Sequence, residues 1–181
     1  KAQLTGNPVR AAVSEIGDQL YPTEAMDAPI NILVLGGSQG ARIMGDVVPT
    51  GLAQLASPVR ARLSVVQQCR PESMEAAQAV YGEAGITAEL APFIEDVPAR
   101  LAAAHLVVSR AGASTVAEIT AAGRPALLVP YPGHGDQQQA ANGAAVVEAG
   151  GGWMVENKDF TADWIAERVE TLIQTSGALT E

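Results

Sequence analysis

Short apolar runs alternate with helix-like stretches along nearly the whole chain, and this alternation limits the fold more than any other feature. Strands are predicted for the apolar runs at 30–35, 63–66, 88–91, 106–109, 126–129 and 153–155. Helices are predicted at 8–16, from after Gly40 to 55, and at 72–83, 97–104, 115–122, 137–149 and 161–175. Nearly continuous apolar strands are typical of parallel sheets covered on both faces. The pattern therefore predicts an α/β fold, a doubly wound Rossmann-like sheet in one domain spanning 1–181.

In such a sheet, ligands bind outside the carboxyl ends of the strands. The loops that begin at Gly36, Ala91, Arg110 and Pro130 follow predicted strands. These four loops are therefore expected to form the binding site.

Charge and composition exclude several functions. A net charge of −9 and a pI near 4.6 disfavour nucleic-acid binding and a polybasic membrane patch. A small anionic ligand is still compatible, because backbone amides and helix N-termini bind phosphate without net positive charge. Cys69 is the only cysteine, so an internal disulfide is excluded and the thiol is expected to pack as a small hydrophobe. The sequence has no zinc-binding pattern and no Asp-x-Asp pair, so we predict no metal and no cofactor.

The loop Gly36-Gly37-Ser38-Gln39-Gly40 joins a predicted strand to a predicted helix. Glycines let the backbone turn tightly and approach a ligand, and the Ser38 hydroxyl can donate to a phosphate oxygen. The loop is neither a GxGxxG fingerprint nor a Walker A motif. A tight turn with Ser38 as a local cap is the alternative interpretation.

The segment 109–118 also follows a strand and opens a helix. Thr115 and Glu118 have the T-x-x-E spacing of a capping box. The same segment has small residues that leave free amides at a positive helix end, which suits a diphosphate. Glu118, one turn further on, can accept the hydroxyls of a ribose. The spacing alone does not separate these two interpretations.

The segment 133–139 repeats this ambiguity. Asp136 and Gln139 have capping-box spacing, yet Gln138 and Gln139 are amides well suited to sugar hydroxyls. His134 is interpreted as a solvated loop residue and His105 as a structural one.

Taken together, these segments resemble the MurG family of bacterial glycosyltransferases, which add N-acetylglucosamine to lipid I to make lipid II. The matches occur in family order: 6–10, 36–42, 92–94, 110–115, Glu118-Ile119 with Gly123 and Pro125, and 136–139 with Asn142. The segment 67–72 is most similar to proteobacterial members. The resemblance implies the C-terminal, donor-binding half of a GT-B fold and an inverting, metal-independent transfer.

The resemblance also implies a role for each site residue. Arg10 and the Ile94 backbone lie near the uracil of UDP-N-acetylglucosamine, and Glu118 holds the ribose. The diphosphate is bound by Ser38 and the amides of Ala113, Ser114 and Thr115. Gln138 and Gln139 contact the sugar hydroxyls. Ser114 stands where some relatives have an apolar residue, which argues against a role for its side chain.

No catalytic residue is expected in this half. The resemblance places the acceptor site for lipid I, the general base and the peripheral membrane contact in an N-terminal domain. This domain and a last C-terminal helix are expected to be absent from this sequence. The full-length protein is expected in the cytoplasm, at the cytoplasmic face of the bacterial inner membrane. The fragment alone is expected to bind the donor without transferring it.

Three alternatives remain at this point. The chain could be the donor domain of another UDP-sugar GT-B transferase with a lipid acceptor. It could be a natural donor subunit that needs a membrane partner. It could also be a non-enzymatic Rossmann-like scaffold whose capping boxes are only caps.

Overall fold

The computed structural model describes residues 6–22, 28–37, 42–133 and 137–174. These residues form one sheet of six strands, which are β1 Ile30–Leu35, β2 Leu63–Gln68, β3 Thr87–Ala91, β4 Leu106–Ser109, β5 Ala126–Leu128 and β6 Gly152–Met154. All neighbouring strands are parallel, and their order is β3-β2-β1-β4-β5-β6. This is the Rossmann order, in which the strand sequence reverses beside β1. The predicted fold class is confirmed.

Helices cover both faces of the sheet. They are α1 Ala11–Gly17, α2 Arg42–Ala53, α3 Ser57–Arg60, α4 Pro71–Ala84, α5 Val97–Ala103, α6 Ala113–Ala121, α7 Gln138–Glu148 and α8 Ala162–Gln174. Helices α2, α4 and α8 pack into one hydrophobic cluster, and α1, α5, α6 and α7 contribute to the other. The short helix α3 was not predicted from the sequence.

Strand β1 shows why the sequence requires two covered faces. Its side chains alternate between the clusters: Ile30, Ile32 and Val34 belong to the first, and Leu33 and Leu35 to the second. Successive side chains of a strand point to opposite faces, so a run of apolar residues has no face that tolerates water. Helix α8 instead buries one side, because Ile165, Val169 and Leu172 all lie in the first cluster.

Close helix contacts depend on glycine. A β-carbon placed on Gly51 of α2 would lie 2.7 Å from Ile165 Cβ and 2.8 Å from the Ala162 carbonyl oxygen. The backbone of α2 at Gly51 therefore packs directly against the Ile165 side chain of α8. Cys69 is buried near the start of α4, as predicted, and burial together with the charges of Asp46 and Glu72 raises the pKa of its thiol.

Three buried polar side chains form hydrogen bonds between secondary-structure elements. Gln67 Nε2 donates to the Met44 carbonyl, and Gln67 Oε1 accepts from the Tyr81 hydroxyl at 2.6 Å. His105 Nδ1 accepts from the Asn31 amide at 2.9 Å, which supports the structural role predicted for it. Arg124 donates to the carbonyls of residues 101 and 102 at the end of α5.

The predicted start of the first helix was wrong. Asn7 and Pro8 have the sequence of a helix start, but α1 begins at Ala11 with Arg10 as its N-cap. From this start Val13 and Ile16 reach the second hydrophobic cluster. Such packing outweighs local preference in a helix of only two turns.

Candidate functional site

The carboxyl ends of β1, β3, β4 and β5 lie along one edge of the sheet, because all these strands are parallel. The loops predicted to bind a ligand follow these strands, so the fold brings them to the same edge. Ser38, His134 and Asp136 lie outside the described residues. The other predicted site residues are described.

Among the described residues, no side chain caps the first backbone amides of helix α6. Its N-cap is Gly112, which has no side chain that could cap the helix. The first helical hydrogen bond runs from the Val116 amide to the Gly112 carbonyl at 2.9 Å. The amides of Ala113, Ser114 and Thr115 therefore precede the helical hydrogen bonds. Ala113 and Ser114 are exposed. Such a helix start attracts an anion through its amides and its dipole.

The capping-box interpretation of Thr115 and Glu118 was wrong. The helix starts two residues earlier than predicted, so Thr115 lies inside the first turn and the N-cap is Gly112. The Glu118 carboxylate instead bonds to Arg10, which is 108 residues away in sequence. A distant partner has replaced the local one, and this leaves the helix start open for a ligand.

Arg10 and Glu118 form a bidentate ion pair. Arg10 Nε lies 2.7 Å from Glu118 Oε1, and Arg10 Nη2 lies 2.8 Å from Oε2. The Arg10 side chain is 48% exposed and that of Glu118 is 18% exposed. The hydrogen bond to Glu118 raises the pKa of Arg10, against the opposing effect of burial. Each carboxylate oxygen has a further lone pair, so the pair fixes the carboxylate while leaving it able to accept hydroxyl hydrogens.

Gln68 connects two of the predicted ligand loops. Its Oε1 accepts from the Gly36 amide at 3.2 Å, and its Nε2 donates to the Pro92 carbonyl at 3.2 Å. Ile94, two residues after Pro92, is buried, whereas Phe93 is 70% exposed. Gln68 thus sets the glycine loop after β1 against the loop that carries Ile94. Gln68 received no role from the sequence, because a glutamine at a strand end has no distinctive pattern.

The loop between β5 and α7 is anchored to the end of β4. Arg110 Nη1 donates to the carbonyls of Val129 at 3.2 Å and Pro130 at 3.1 Å, and the guanidinium lies over the Tyr131 ring. Asn142 Nδ2 donates to the carbonyl of residue 111 at 3.1 Å. Arg110, Tyr131 and Asn142 received no role from the sequence. Arg110 and Asn142 belong to matched motifs, which was the available signal.

Gln139 bonds to this loop. Its Oε1 accepts from the Tyr131 amide at 2.9 Å. The N-cap of α7 is Gln137, which has a left-handed φ of 51° and no side-chain cap bond. The predicted capping box also involves Asp136, which lies outside the described residues, so it stays a prediction. Gln138 is exposed at the first turn of α7, beside Gln139.

Comparison with solved structures defines the class of this domain. MurG of Acinetobacter baumannii superposes with a TM-score of 0.77 at 34% identity, over 88% of this chain and 47% of that one. WaaG, a glycosyltransferase of lipopolysaccharide biosynthesis, shares the fold with a TM-score of 0.64 at 20% identity, over 94% of this chain and 44% of that one. The six-stranded parallel sheet is thus the Rossmann-like C-terminal domain of a GT-B glycosyltransferase.

Residues 31–181 match the model of the glycosyltransferase family 28 C-terminal domain, and the chain belongs to this family. Two relatives bear the name UDP-N-acetylglucosamine--N-acetylmuramyl-(pentapeptide) pyrophosphoryl-undecaprenol N-acetylglucosamine transferase. The protein of Methylobacterium sp. (strain 4-46) is 54% identical over 169 residues, which are 93% of this chain and 45% of the relative. The protein of Paramagnetospirillum magneticum is 50% identical over 97% of this chain and 47% of its own length.

The chain spans about half the length of these curated relatives. Among its described residues, no helix is both long enough and apolar enough to cross a membrane. The predicted resemblance to the MurG family is confirmed. The ligand roles of individual residues stay predictions.

Proposed function

We propose that this chain binds UDP-N-acetylglucosamine as the donor half of a glycosyltransferase that passes N-acetylglucosamine to lipid I. The proposal is supported by the names of its relatives, which specify this sugar and an undecaprenyl-linked acceptor. The observation that carries it is the open start of α6 with the Glu118 carboxylate on the same helix. An anion-binding end and a hydroxyl acceptor within two helical turns suit a ribose diphosphate.

Each part of the donor has a proposed partner. The amides of Ala113, Ser114 and Thr115 bind the diphosphate, together with Ser38. Glu118 accepts from the ribose hydroxyls while Arg10 holds its carboxylate. Arg10 and the Ile94 backbone meet the uracil, and Gln138 and Gln139 meet the sugar.

The chemistry of transfer follows from charge. The acceptor hydroxyl attacks the anomeric carbon, the bond to the diphosphate breaks, and UDP leaves with the added negative charge. Preorganised amides and a helix dipole at the start of α6 stabilise this charge more in the transition state than in the ground state. The described residues at this edge thus assist the leaving group. Activation of the acceptor hydroxyl is assigned to the remainder of the full-length protein.

We also propose that the acceptor site and the membrane contact belong to the other half of the protein. The relatives are about twice as long as this chain, which leaves room for a second domain. The proposed acceptor is bound to a membrane lipid, so the full-length protein must work at a membrane surface. We place it at the cytoplasmic face of the bacterial inner membrane.

Calorimetric titration with UDP-N-acetylglucosamine, UDP and ATP tests the proposal. We expect both uridine compounds to bind and ATP not to bind. UDP-glucose and UDP-galactose serve as further controls, and a site for the acetamido sugar should bind both more weakly. Absence of binding by all of these compounds would contradict a donor site in this chain, and equal binding of the three sugars would contradict the sugar assignment.

A further inference from the structure

Arg110 lies beside the open start of α6 but is turned away from it in its described contacts. An arginine next to an anion site would ordinarily be assigned to the anion. Its Nη1 instead donates to the carbonyls of Val129 and Pro130, and its Cζ lies over the Tyr131 ring, 5.5 Å from the centroid. Among the described residues, no carboxylate forms a salt bridge with it. Its contacts are therefore with the loop after β5.

Tyr131, one of the residues that Arg110 contacts, also orients the Gln139 side chain. The Tyr131 amide donates to Gln139 Oε1 at 2.9 Å. A backbone amide only donates, so this bond fixes which end of the Gln139 side chain faces the loop. The Nε2 end, with its two hydrogens, is then the end directed away from the Tyr131 amide. A shift of Tyr131 would move the donors that Gln139 presents.

The first turn of α7 needs such support. Gln137, its N-cap, is the one residue other than glycine with a positive φ in the described part of the chain. A left-handed glutamine is strained and persists only where its surroundings hold it. It makes no side-chain cap bond. In the part of the chain that the structure describes, side-chain hydrogen bonds connect this region to the loop after β4. Arg110 donates to residues 129 and 130, and Asn142 Nδ2 donates to the carbonyl of residue 111.

We propose that Arg110 is a positioning residue for sugar recognition, which acts through residues 129–131 to hold the Gln139 amide where it meets the sugar of the donor. This proposal rests on the proposed function. Protein groups partly surround the Arg110 guanidinium, and this burial lowers its pKa. Lysine would keep the charge but lose the planar guanidinium that lies over the ring while its Nη1 donates to both carbonyls.

The first test needs no ligand. In Arg110→Lys we expect the Tyr131 amide to exchange its hydrogen about tenfold faster, because the loop opens more often. The Val34 amide in the central strand should be unchanged. Arg60→Lys is the matched control, since Arg60 Nη1 donates to the Ala53 carbonyl at 2.8 Å, in α2 and α3 on the other face of the sheet. Unchanged exchange at Tyr131 in Arg110→Lys would overturn the proposal.

The second test compares the affinities of UDP-N-acetylglucosamine and UDP. In Arg110→Lys the preference for the sugar nucleotide should fall by about fivefold, the worth of one neutral hydrogen bond, while UDP affinity stays near that of the wild type. Arg60→Lys should keep the wild-type preference. If Arg110 acts as a phosphate-binding charge, Arg110→Gln will weaken both ligands equally and Arg110→Lys will preserve the preference. That result would overturn the positioning role.

The two proposals fail in different ways. A wild-type chain that binds neither compound contradicts the proposed function, and with it the sugar role of Arg110. A wild type that prefers the sugar nucleotide, beside an Arg110→Lys variant with the same preference, contradicts the role of Arg110 alone.

Discussion

Replacing Glu118 by glutamine separates a ribose-binding carboxylate from a structural one. In the structure both carboxylate oxygens accept from Arg10, at 2.7 and 2.8 Å. A glutamine side chain has one oxygen, and its amide hydrogens would face an arginine nitrogen that also only donates. The variant therefore loses the bidentate pair with Arg10. It also loses the carboxylate that would accept hydrogen bonds from the ribose hydroxyls.

The two losses differ in size. The pair is partly exposed, with side chains 48% and 18% accessible, so its contribution to the free energy of unfolding is at most about 1 kcal/mol. Hydrogen bonds from ribose hydroxyls to a carboxylate contribute about 1.5–3 kcal/mol to binding. We therefore expect Glu118→Gln to bind UDP about 10- to 150-fold more weakly while remaining folded.

The assay is calorimetric titration with UDP and with 2′-deoxy-UDP. The wild type should prefer UDP because the 2′ hydroxyl has a partner, and Glu118→Gln should lose most of this preference. Glu89→Gln is the matched control, since Glu89 pairs with Arg100 at 2.7 Å and has no proposed ligand role. It should show a similar small change in unfolding free energy and unchanged affinity for both nucleotides.

One result would refute this reasoning. If Glu118→Gln distinguishes UDP from 2′-deoxy-UDP as strongly as the wild type does, the carboxylate does not bind the ribose. Glu118 would then serve only to hold Arg10 and α1 against α6.

Three further predictions concern stability. Gly51→Ala should lower the free energy of unfolding by about 1–3 kcal/mol in urea denaturation, because its β-carbon would lie 2.7 Å from Ile165 Cβ. Gly82→Ala, on an exposed helix position with open space, should instead raise it by about 0.5–1 kcal/mol. Burial lowers the pKa of His105 below 6.5, with a smaller contribution from Arg124. The neutral ring accepts from the Asn31 amide, so its stabilisation should be complete above about pH 6.5 and lost as pH falls through the folded pKa.

Each of these measurements is compared with a control variant. Equal effects of Gly51→Ala and Gly82→Ala would contradict the close contact between α2 and α8. For the histidine, unfolding free energies are compared between pH 7.5 and 5.5 in the wild type and in His105→Asn, whose side-chain oxygen can still accept from the Asn31 amide. The wild type should lose more stability over this range, and parallel curves would show that His105 does not titrate with folding.

Local pattern was a good guide wherever burial alone decides structure. Strand β1 was predicted with its observed bounds because every position from Ile30 to Leu35 packs into one core or the other, apart from Asn31. The start of α5 at Val97 was also predicted from the sequence, and there the Asp96 side chain caps the helix within one turn by accepting from the Ala99 amide. The strand is visible as a continuous apolar run, and the cap as a side chain three residues from its partner.

Local pattern misled where a local and a distant partner compete. Thr115 and Glu118 have capping-box spacing, and Pro8 follows a suitable N-cap, yet both helices start elsewhere. Glu118 bonds to Arg10, the N-cap of α1, so the same contact bears on both errors. Spacing within a turn cannot show which partner a carboxylate takes when an arginine from another element reaches it.

The sequence by itself determined the class of fold and the edge of the sheet at which the predicted ligand loops lie. Apolar strands without a polar face require two covered faces, and parallel strands place their following loops together. Only the tertiary structure decided which side chains hold those loops, namely Arg10 on Glu118, Gln68 between two loops, and Arg110 on the segment before α7. The physical reason is that burial is set by a repeating pattern along the chain, whereas each of these bonds joins residues brought together by the folded sheet.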